Sequence, residues 1–106
     1  MASSVITNPN NITAGSITQD GITVNYSRCN RVVGIIITKY SVQIPSNGIE
    51  FTTKLPDEYR TGVNARYQSY DADIYLELSY DGTITIGNKT ANTKTTNLLF
   101  DFCYLV

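Results

Sequence analysis

The side chains best suited to ligand binding lie between Leu55 and Gly87, a stretch that contains five of the eight tyrosines. Within it, Tyr75 stands between Asp73 and Glu77, and Arg66 precedes them on the chain. A tyrosine ring packs well against the apolar C–H face of a sugar, and carboxylate and guanidinium groups hydrogen-bond to sugar hydroxyls. These residue types favour a saccharide-binding surface, although tyrosine is also simply a good strand residue.

Other kinds of chemistry fit the sequence poorly. The chain has no histidine, which removes the usual general base of nucleophilic triads and the commonest transition-metal ligand. Asp57–Glu58 or Asp73–Glu77 could be the carboxylate pair of a glycosidase, but any chain with nine acidic residues offers such pairs. Asp71-Ala72-Asp73 lacks the acidic and glycine spacing that follows in an EF-hand calcium loop. We therefore expect a protein that is not an enzyme, with no catalytic residues, metal site or cofactor.

The elements that position the candidate residues are predicted to be strands. Ile74, Leu76 and Leu78 alternate with polar residues, which is the period of a strand with one face on a core. Tyr80-Asp81-Gly82 then supplies an Asp-Gly pair that tolerates the positive φ of a tight hairpin, and 83–86 returns as a second alternating strand. Tyr75 and Glu77 should therefore share the polar face of this hairpin.

The rest of the chain follows the same pattern. Residues 1–20 are rich in Asn, Thr, Ser and Gly and are predicted to be an irregular lead-in or linker, with one short strand near Ile12 or Ile17. Further strands are predicted at 21–27, 49–53 and 98–106, with a loop at 88–97. About eight short strands and no helical period predict an all-β domain over 21–106, an antiparallel β-sandwich or barrel.

The segment from Arg31 to Val42 is apolar in succession rather than in alternation, with Val32, Val33, Ile35, Ile36 and Ile37 close together. Such a run is typical of a strand that is covered on both faces, and its β-branched residues disfavour the alternative of a buried helix. A small sandwich covers only one face of each sheet. The run therefore indicates additional cover, from a loop or from another subunit.

Composition excludes several partners. Eight basic and nine acidic residues are scattered without runs, so we expect neither nucleic-acid binding nor attraction to anionic membranes. No apolar run is long enough for a membrane span, and no secretion signal follows Met1. Cys29 and Cys103 are predicted to be reduced and buried, since small buried thiols are common in chains without a secretion signal, although a bridge between neighbouring strands stays open.

The sequence resembles the receptor-binding head domains of tailed phages that infect lactococci and related Gram-positive bacteria. Three segments carry the resemblance, in the family's order and at similar spacing: Gly21-Ile22-Thr23-Val24-Asn25-Tyr26-Ser27, Leu55-Pro56-Asp57-Glu58-Tyr59-Arg60, and Ile74-Tyr75-Leu76-Glu77-Leu78 followed by Asp81-Gly82. Together they span roughly two thirds of the chain, and each motif alone is weak.

The resemblance implies a small jelly-roll-like head domain that forms homotrimers at the tip of a baseplate or fibre on the virion. It also implies binding to a host cell-wall saccharide without chemistry, and contact with other baseplate or tail-fibre proteins. The family's polar pair before the turn falls on Tyr75 and Glu77, where the family often has His followed by an acid, so Tyr75 departs from the pattern. An aromatic residue of some members falls near Ile86. The expected ligand-binding residues are Arg66, Asp73, Tyr75 and Glu77.

Two other interpretations stay open. The domain could be a purely structural trimeric baseplate or fibre tip, or a carbohydrate-binding module cut from a secreted bacterial enzyme. The first would have no ligand, and the second would normally be monomeric.

Overall fold

The computed structural model describes residues 12–106, which form eight strands in two antiparallel sheets and contain no α-helix. The first sheet has the order β1-β2-β3-β8 and the second the order β4-β7-β6-β5. The strands are β1 (Ile12–Gln19), β2 (Ile22–Cys29), β3 (Val32–Ile44), β4 (Ile49–Glu50), β5 (Ala65–Gln68), β6 (Ile74–Leu78), β7 (Ile84–Asn88) and β8 (Lys94–Leu105), with one 3-10 turn at Asp57–Tyr59. The prediction of an all-β fold is confirmed, and the two sheets form a small β-sandwich.

The core lies between the two sheets and follows from the period of two. In β6, Ile74, Leu76 and Leu78 are buried while the residues between them are only partly covered. The first sheet contributes the matching set from alternate positions of its strands, including Val33, Ile35 and Ile37 of β3, Leu98 and Phe100 of β8. Residues Leu98, Phe100, Phe102 and Tyr104 share one face of the last strand, as predicted.

The chain path from β3 to β8 is a set of nested pairs. β3 pairs with β8, β4 pairs with β7, and β5 pairs with β6, all antiparallel. β3 and β8 form the outermost pair, in the first sheet. The chain between them makes the two inner pairs, β4–β7 and β5–β6, which form the second sheet. This topology places β6 in the interior of the second sheet, between β5 and β7.

The predicted β6–β7 hairpin is present, but only one of its turn residues uses a left-handed conformation. The Gly82 amide donates to the Ser79 carbonyl at 2.9 Å, so Tyr80 and Asp81 are the central residues of the turn. Gly82 follows them with φ +90°. A turn followed by a left-handed glycine is a common way to connect antiparallel strands whose twist is right-handed.

Four segments differ from the sequence-based expectation. Of the strand predicted at 49–53, only Ile49–Glu50 forms β4. Residues 12–19, where one short strand was expected within an irregular lead-in, form the eight-residue strand β1, which pairs with β2 along its whole length, and Ile17 joins the core. The predicted loop at 88–97 ends earlier, because β8 begins at Lys94. β5 was not predicted at all, since four residues are too short for a period to be recognised. Residues 1–11 of the predicted lead-in lie outside the described residues.

The prediction that both cysteines are buried is wrong. Cys29 and Cys103 are free and exposed. They lie on β2 and β8, which are both neighbours of β3 but not of each other. Two strand spacings separate them by at least about 9.6 Å, which is beyond the reach of an intramolecular disulfide. Their side chains alternate out of the core, away from the second sheet.

Candidate functional site on the outer face of the second sheet

The outer face of the second sheet brings together three of the four predicted site residues. Arg66 of β5 lies opposite Glu77 of β6, and Gln68 of β5 lies opposite Tyr75. Successive residues of a strand point to opposite faces, so Tyr75 and Glu77 point outward while the leucines between and beside them point into the core. The resulting polar patch is defined here by Arg66, Gln68, Tyr75, Glu77 and Lys89.

Tyr75 is held flat against the sheet by a residue with no side chain. Tyr75 pairs in register with Gly87 of β7. A Cβ placed on Gly87 would lie 2.0 Å from Cζ of Tyr75 and 2.4 Å from both Cε atoms. Equal distances to the two Cε atoms place the phenol end of the ring face down on the glycine. Any side chain at position 87 would displace the ring.

The solvent-facing side of the Tyr75 ring is covered by the guanidinium group of Arg66. The guanidinium carbon of Arg66 lies over the ring, 4.0 Å from its centroid, and Lys89 Nζ is 6.0 Å from the same point. These separations fall within the range in which a cation is attracted to an aromatic face. Both faces of the ring are therefore occupied, one by backbone and the other by Arg66.

Arg66 and Glu77 leave most of their hydrogen-bonding capacity free. The side-chain amide of Gln68, by contrast, already donates to the carbonyls of Asp71 and Ile74. An Arg66 Nη atom is 3.3 Å from one carboxylate oxygen of Glu77, a long contact between exposed groups. Lys89 Nζ donates to the side-chain oxygen of Gln68 at 3.1 Å. A carboxylate accepts several hydrogen bonds and a guanidinium donates five. The patch therefore offers both donors and acceptors to a polyhydroxylated ligand.

The fourth predicted residue, Asp73, has a different role. Lys94 Nζ of β8 lies 2.6 Å from an oxygen of Asp73 and 2.8 Å from an oxygen of Asp71. Thr96 also donates to Asp71 at 2.8 Å. The hydrogen bond from Lys94 lowers the pKa of the Asp71 carboxyl, against a smaller opposing effect of desolvation. Asp73 thus belongs to a cluster that joins the β5–β6 turn to the first sheet.

Two further tyrosines of the Leu55–Gly87 stretch, Tyr67 and Tyr70, lie in different environments. Tyr67 points inward and stacks on Phe102 with ring centroids 3.8 Å apart, and burial raises the pKa of its phenol. Tyr70 is exposed in the turn after β5. Ile86, where some members of the resembling family carry an aromatic residue, is fully buried. Its neighbour Thr85, opposite Glu77, is the outward position of that strand.

The residues expected at the site from the sequence did not include Gln68 and Lys89 of the patch or Gly87 beneath the Tyr75 ring. Gly87 and Lys89 follow the predicted hairpin, and a glycine in phase with outward residues signals close approach of another group. Gln68 reaches the patch only through the pairing of β5 with β6, which the sequence did not reveal.

A scan against protein-family models found no matching family, and a search of curated proteins found no match. Between residues 12 and 106 no group of three or more Cys, Asp or Glu side chains is arranged to hold a metal ion. No helix in that part of the chain could span a bilayer.

Proposed function

We propose that this domain is a receptor-binding module of a phage tail or baseplate that adheres to a saccharide of the host cell wall, without catalysis. The observation that carries the proposal is the arrangement of Arg66, Tyr75 and Glu77 on one open, polar sheet face. An aromatic ring flanked by a hydrogen-bond donor and a hydrogen-bond acceptor suits a sugar, which has an apolar C–H face and hydroxyl groups at its edge.

Binding requires Arg66 to move. The guanidinium lies over the ring of Tyr75 and is exposed, so a saccharide could displace it and take its place on the aromatic face. Gly87 keeps the ring flat on the sheet while this happens. Glu77 is then the acceptor for ligand hydroxyls, and Arg66 donates from the side. Asp73, which pairs with Lys94, supports the patch through the β5–β6 turn rather than by contact.

A single shallow site of this kind should bind weakly. Each hydrogen bond to a sugar replaces one to water and contributes only about 0.5–1.5 kcal/mol. Adhesion then depends on repetition, and we propose that the jelly-roll-like domain is a homotrimer displayed in many copies on the virion together with other baseplate or tail-fibre proteins. Multivalent display raises avidity without strengthening any single contact.

One observation favours the alternative of a structural tip without a ligand. Arg66 already covers the aromatic face and already pairs with Glu77, so these three side chains contact one another without a ligand. A carbohydrate-binding module of a secreted enzyme would use the same patch but would be a monomer in solution. Glycan binding separates the first alternative from the proposal, and solution mass separates the second.

The test is the substitution Glu77→Gln, with Glu58→Gln as its matched control. Glu58 lies in the exposed 3-10 turn, so the control makes the same chemical change outside the patch. Glu77→Gln keeps the shape of the side chain but removes the charged acceptor, so binding to purified host-wall polysaccharide should weaken about tenfold. Its melting temperature should change little, because the ion pair with Arg66 is exposed.

Two outcomes would contradict the proposal in different ways. If Glu77→Gln binds as well as the parent, the site assignment is wrong. If neither protein binds any wall fraction from a susceptible strain, the adhesion function is wrong.

A further inference from the structure

The outer face of the first sheet has no cover in the single chain. Across β3 the inward residues Val33, Ile35 and Ile37 are buried, whereas Val32 and Ile36 are 43% and 48% exposed. Leu105 of β8, in register with Val32, is 73% exposed. The doubly apolar run that the sequence showed is therefore covered on one face only. We call the other side, from the Ile12 row to the Ile36 row, the apolar face.

The apolar face is nearly free of charge. The face consists of three rows of outward residues that are paired across the four strands and contain Val32, Gly34 and Ile36 of β3, respectively. Asp101 is the only charged residue in these three rows. Asp101 lies on β8, an edge strand, where it can stay at a solvated rim. Depletion of charge at the centre with polar groups at the rim is characteristic of a protein–protein interface. Such a face does not fit a highly charged partner.

The apolar face is not flat but has a cleft and a projecting side chain beside it. The middle row consists of small residues, Ala14, Ser27, Gly34 and Cys103, and it forms the floor of a cleft of about 520 Å3. Ile36 stands at one side of the cleft, in the next row. A ridge and a groove thus lie two residues apart on the same strand.

Each copy of the chain therefore carries both halves of a complementary contact. A second copy can seat its Ile36 in the groove over Gly34. Exchanged reciprocally this contact closes a two-fold dimer, and repeated head to tail it closes a ring such as a trimer. The three rows cover five residues on each of four strands, a planar footprint of about 300 Å2. A further row without charge, Thr18, Thr23, Thr38 and Leu99, extends the nearly uncharged surface to about 500 Å2. Side-chain relief adds to this area, which makes the face comparable with the about 800 Å2 per partner of a standard interface.

We infer that copies of this chain associate through the apolar face, with Ile36 of one copy seated in the groove over Gly34 of the next. This inference specifies the surface for the self-association in the proposed function, and it rests on that proposal only for its biological purpose. An exposed apolar patch of this size is otherwise a liability for a folded protein.

The first test combines solution mass with thiol labelling. Light scattering of the parent at micromolar concentration should give a dimer or trimer of the 11.7 kDa chain. Cys29 and Cys103 lie on the apolar face, so maleimide should label both slowly in the assembled protein and rapidly on dilution to monomer. Ile36→Asp should raise the dissociation constant at least about thirtyfold, as expected for a central contact, and restore fast labelling.

The matched control is Val63→Asp. Val63 is exposed in the loop before β5, so the same apolar-to-acidic change falls outside the apolar face and should leave the mass unchanged. Circular dichroism checks that Ile36→Asp keeps the strand signal of the parent. If it unfolds, Ser27→Phe provides the independent test.

Ser27→Phe fills the groove with an apolar side chain. Complementary packing predicts weaker association, because Ile36 of the neighbour loses its seat. Unchanged or tighter association would overturn the groove-and-ridge contact.

Three further outcomes would overturn the inference altogether: a monomeric parent, fast thiol labelling at every concentration, or a small apolar molecule that copurifies in the cleft of a monomer. Failure of the proposed function is distinguishable, because wall-polysaccharide binding is measured separately. A monomeric Ile36→Asp should keep its single-site affinity and lose only avidity.

Discussion

The Tyr75 ring can lie flat on the sheet because Gly87 has no side chain. The ring lies face down on the glycine and carries Arg66 on its other face. Neither feature depends on neighbours in sequence, because Gly87 faces Tyr75 only through the pairing of β6 with β7. An aromatic residue on a strand can therefore lie flat on the sheet only where the paired residue of the neighbouring strand leaves space for the ring.

At this scale we predict the effect of Gly87→Ala. The added methyl group would overlap the Tyr75 ring, so the ring must leave the sheet and Arg66 must lose its aromatic partner. Side-chain protons of Arg66 should lose their upfield ring-current shift in the proton NMR spectrum, while the fold is retained. Gly62→Ala is the control, since a Cβ at Gly62 meets nothing within 4 Å. An unchanged Arg66 shift in Gly87→Ala would show that the ring does not lie on the sheet.

At the scale of elements, the two sheets are joined by more than apolar packing. Lys94 at the start of β8 holds Asp71 and Asp73 in the turn between β5 and β6, so an ionic cluster ties the edge of the second sheet to the first. Asp81 performs a local task in the β6–β7 turn, where it accepts a hydrogen bond from the Thr83 amide at 3.0 Å. That bond is the main reason why the pKa of Asp81 is lowered to about 2.

These carboxylates predict acid-sensitive stability. The folded-state pKa values of Asp71 and Asp81 lie below their unfolded values, so the folded state binds protons less readily. Their contribution is fully present above about pH 4 and is lost as the pH falls through the lowered folded values. Urea unfolding from pH 7 to pH 2 should show decreasing stability below pH 4.

Asp71→Asn should be less stable than the parent at pH 7 and should show a shallower acid loss, because its pairing with Lys94 is gone. Asp20→Asn is the control, since Asp20 forms no ion pair among residues 12–106 and lies in the β1–β2 turn. Equal slopes for the Asp71 variant and the parent would contradict the assignment of the acid sensitivity to the cluster.

At the scale of the whole molecule, the two sheets formed by residues 12–106 differ in length. The strands of the first sheet have eight to thirteen residues, whereas those of the second have two to five. The first sheet is thus a long platform whose inner face receives the second sheet and whose outer face is free. The polar patch and the apolar face lie on opposite sides of the sandwich, so adhesion and self-association do not compete for surface.

This separation predicts a melting temperature that depends on protein concentration. Association stabilises the folded chain by mass action, so the melting temperature should rise as concentration increases through the micromolar range. Ile36→Asp should remove this dependence, and Glu77→Gln should keep it, because Glu77 faces the other side of the molecule. A melting temperature of the parent that is independent of concentration would count against association of the folded state.

Strands with a clear period of two, the faces that they bury and the β6–β7 hairpin could be predicted from the amino-acid sequence, because these features depend on residues a few positions apart. The sequence also indicated that β3 is apolar on both sides. Only the folded chain showed which side stays open, that the strand expected near Ile12 or Ile17 extends over Ile12–Gln19 and joins the sheet, and that Cys29 and Cys103 are exposed. It also separated Asp73 from Tyr75, because Lys94 reaches Asp73 across 21 residues of chain. Such contacts depend on which strands become neighbours in the folded chain, and the local pattern of apolar and polar residues does not specify the neighbours.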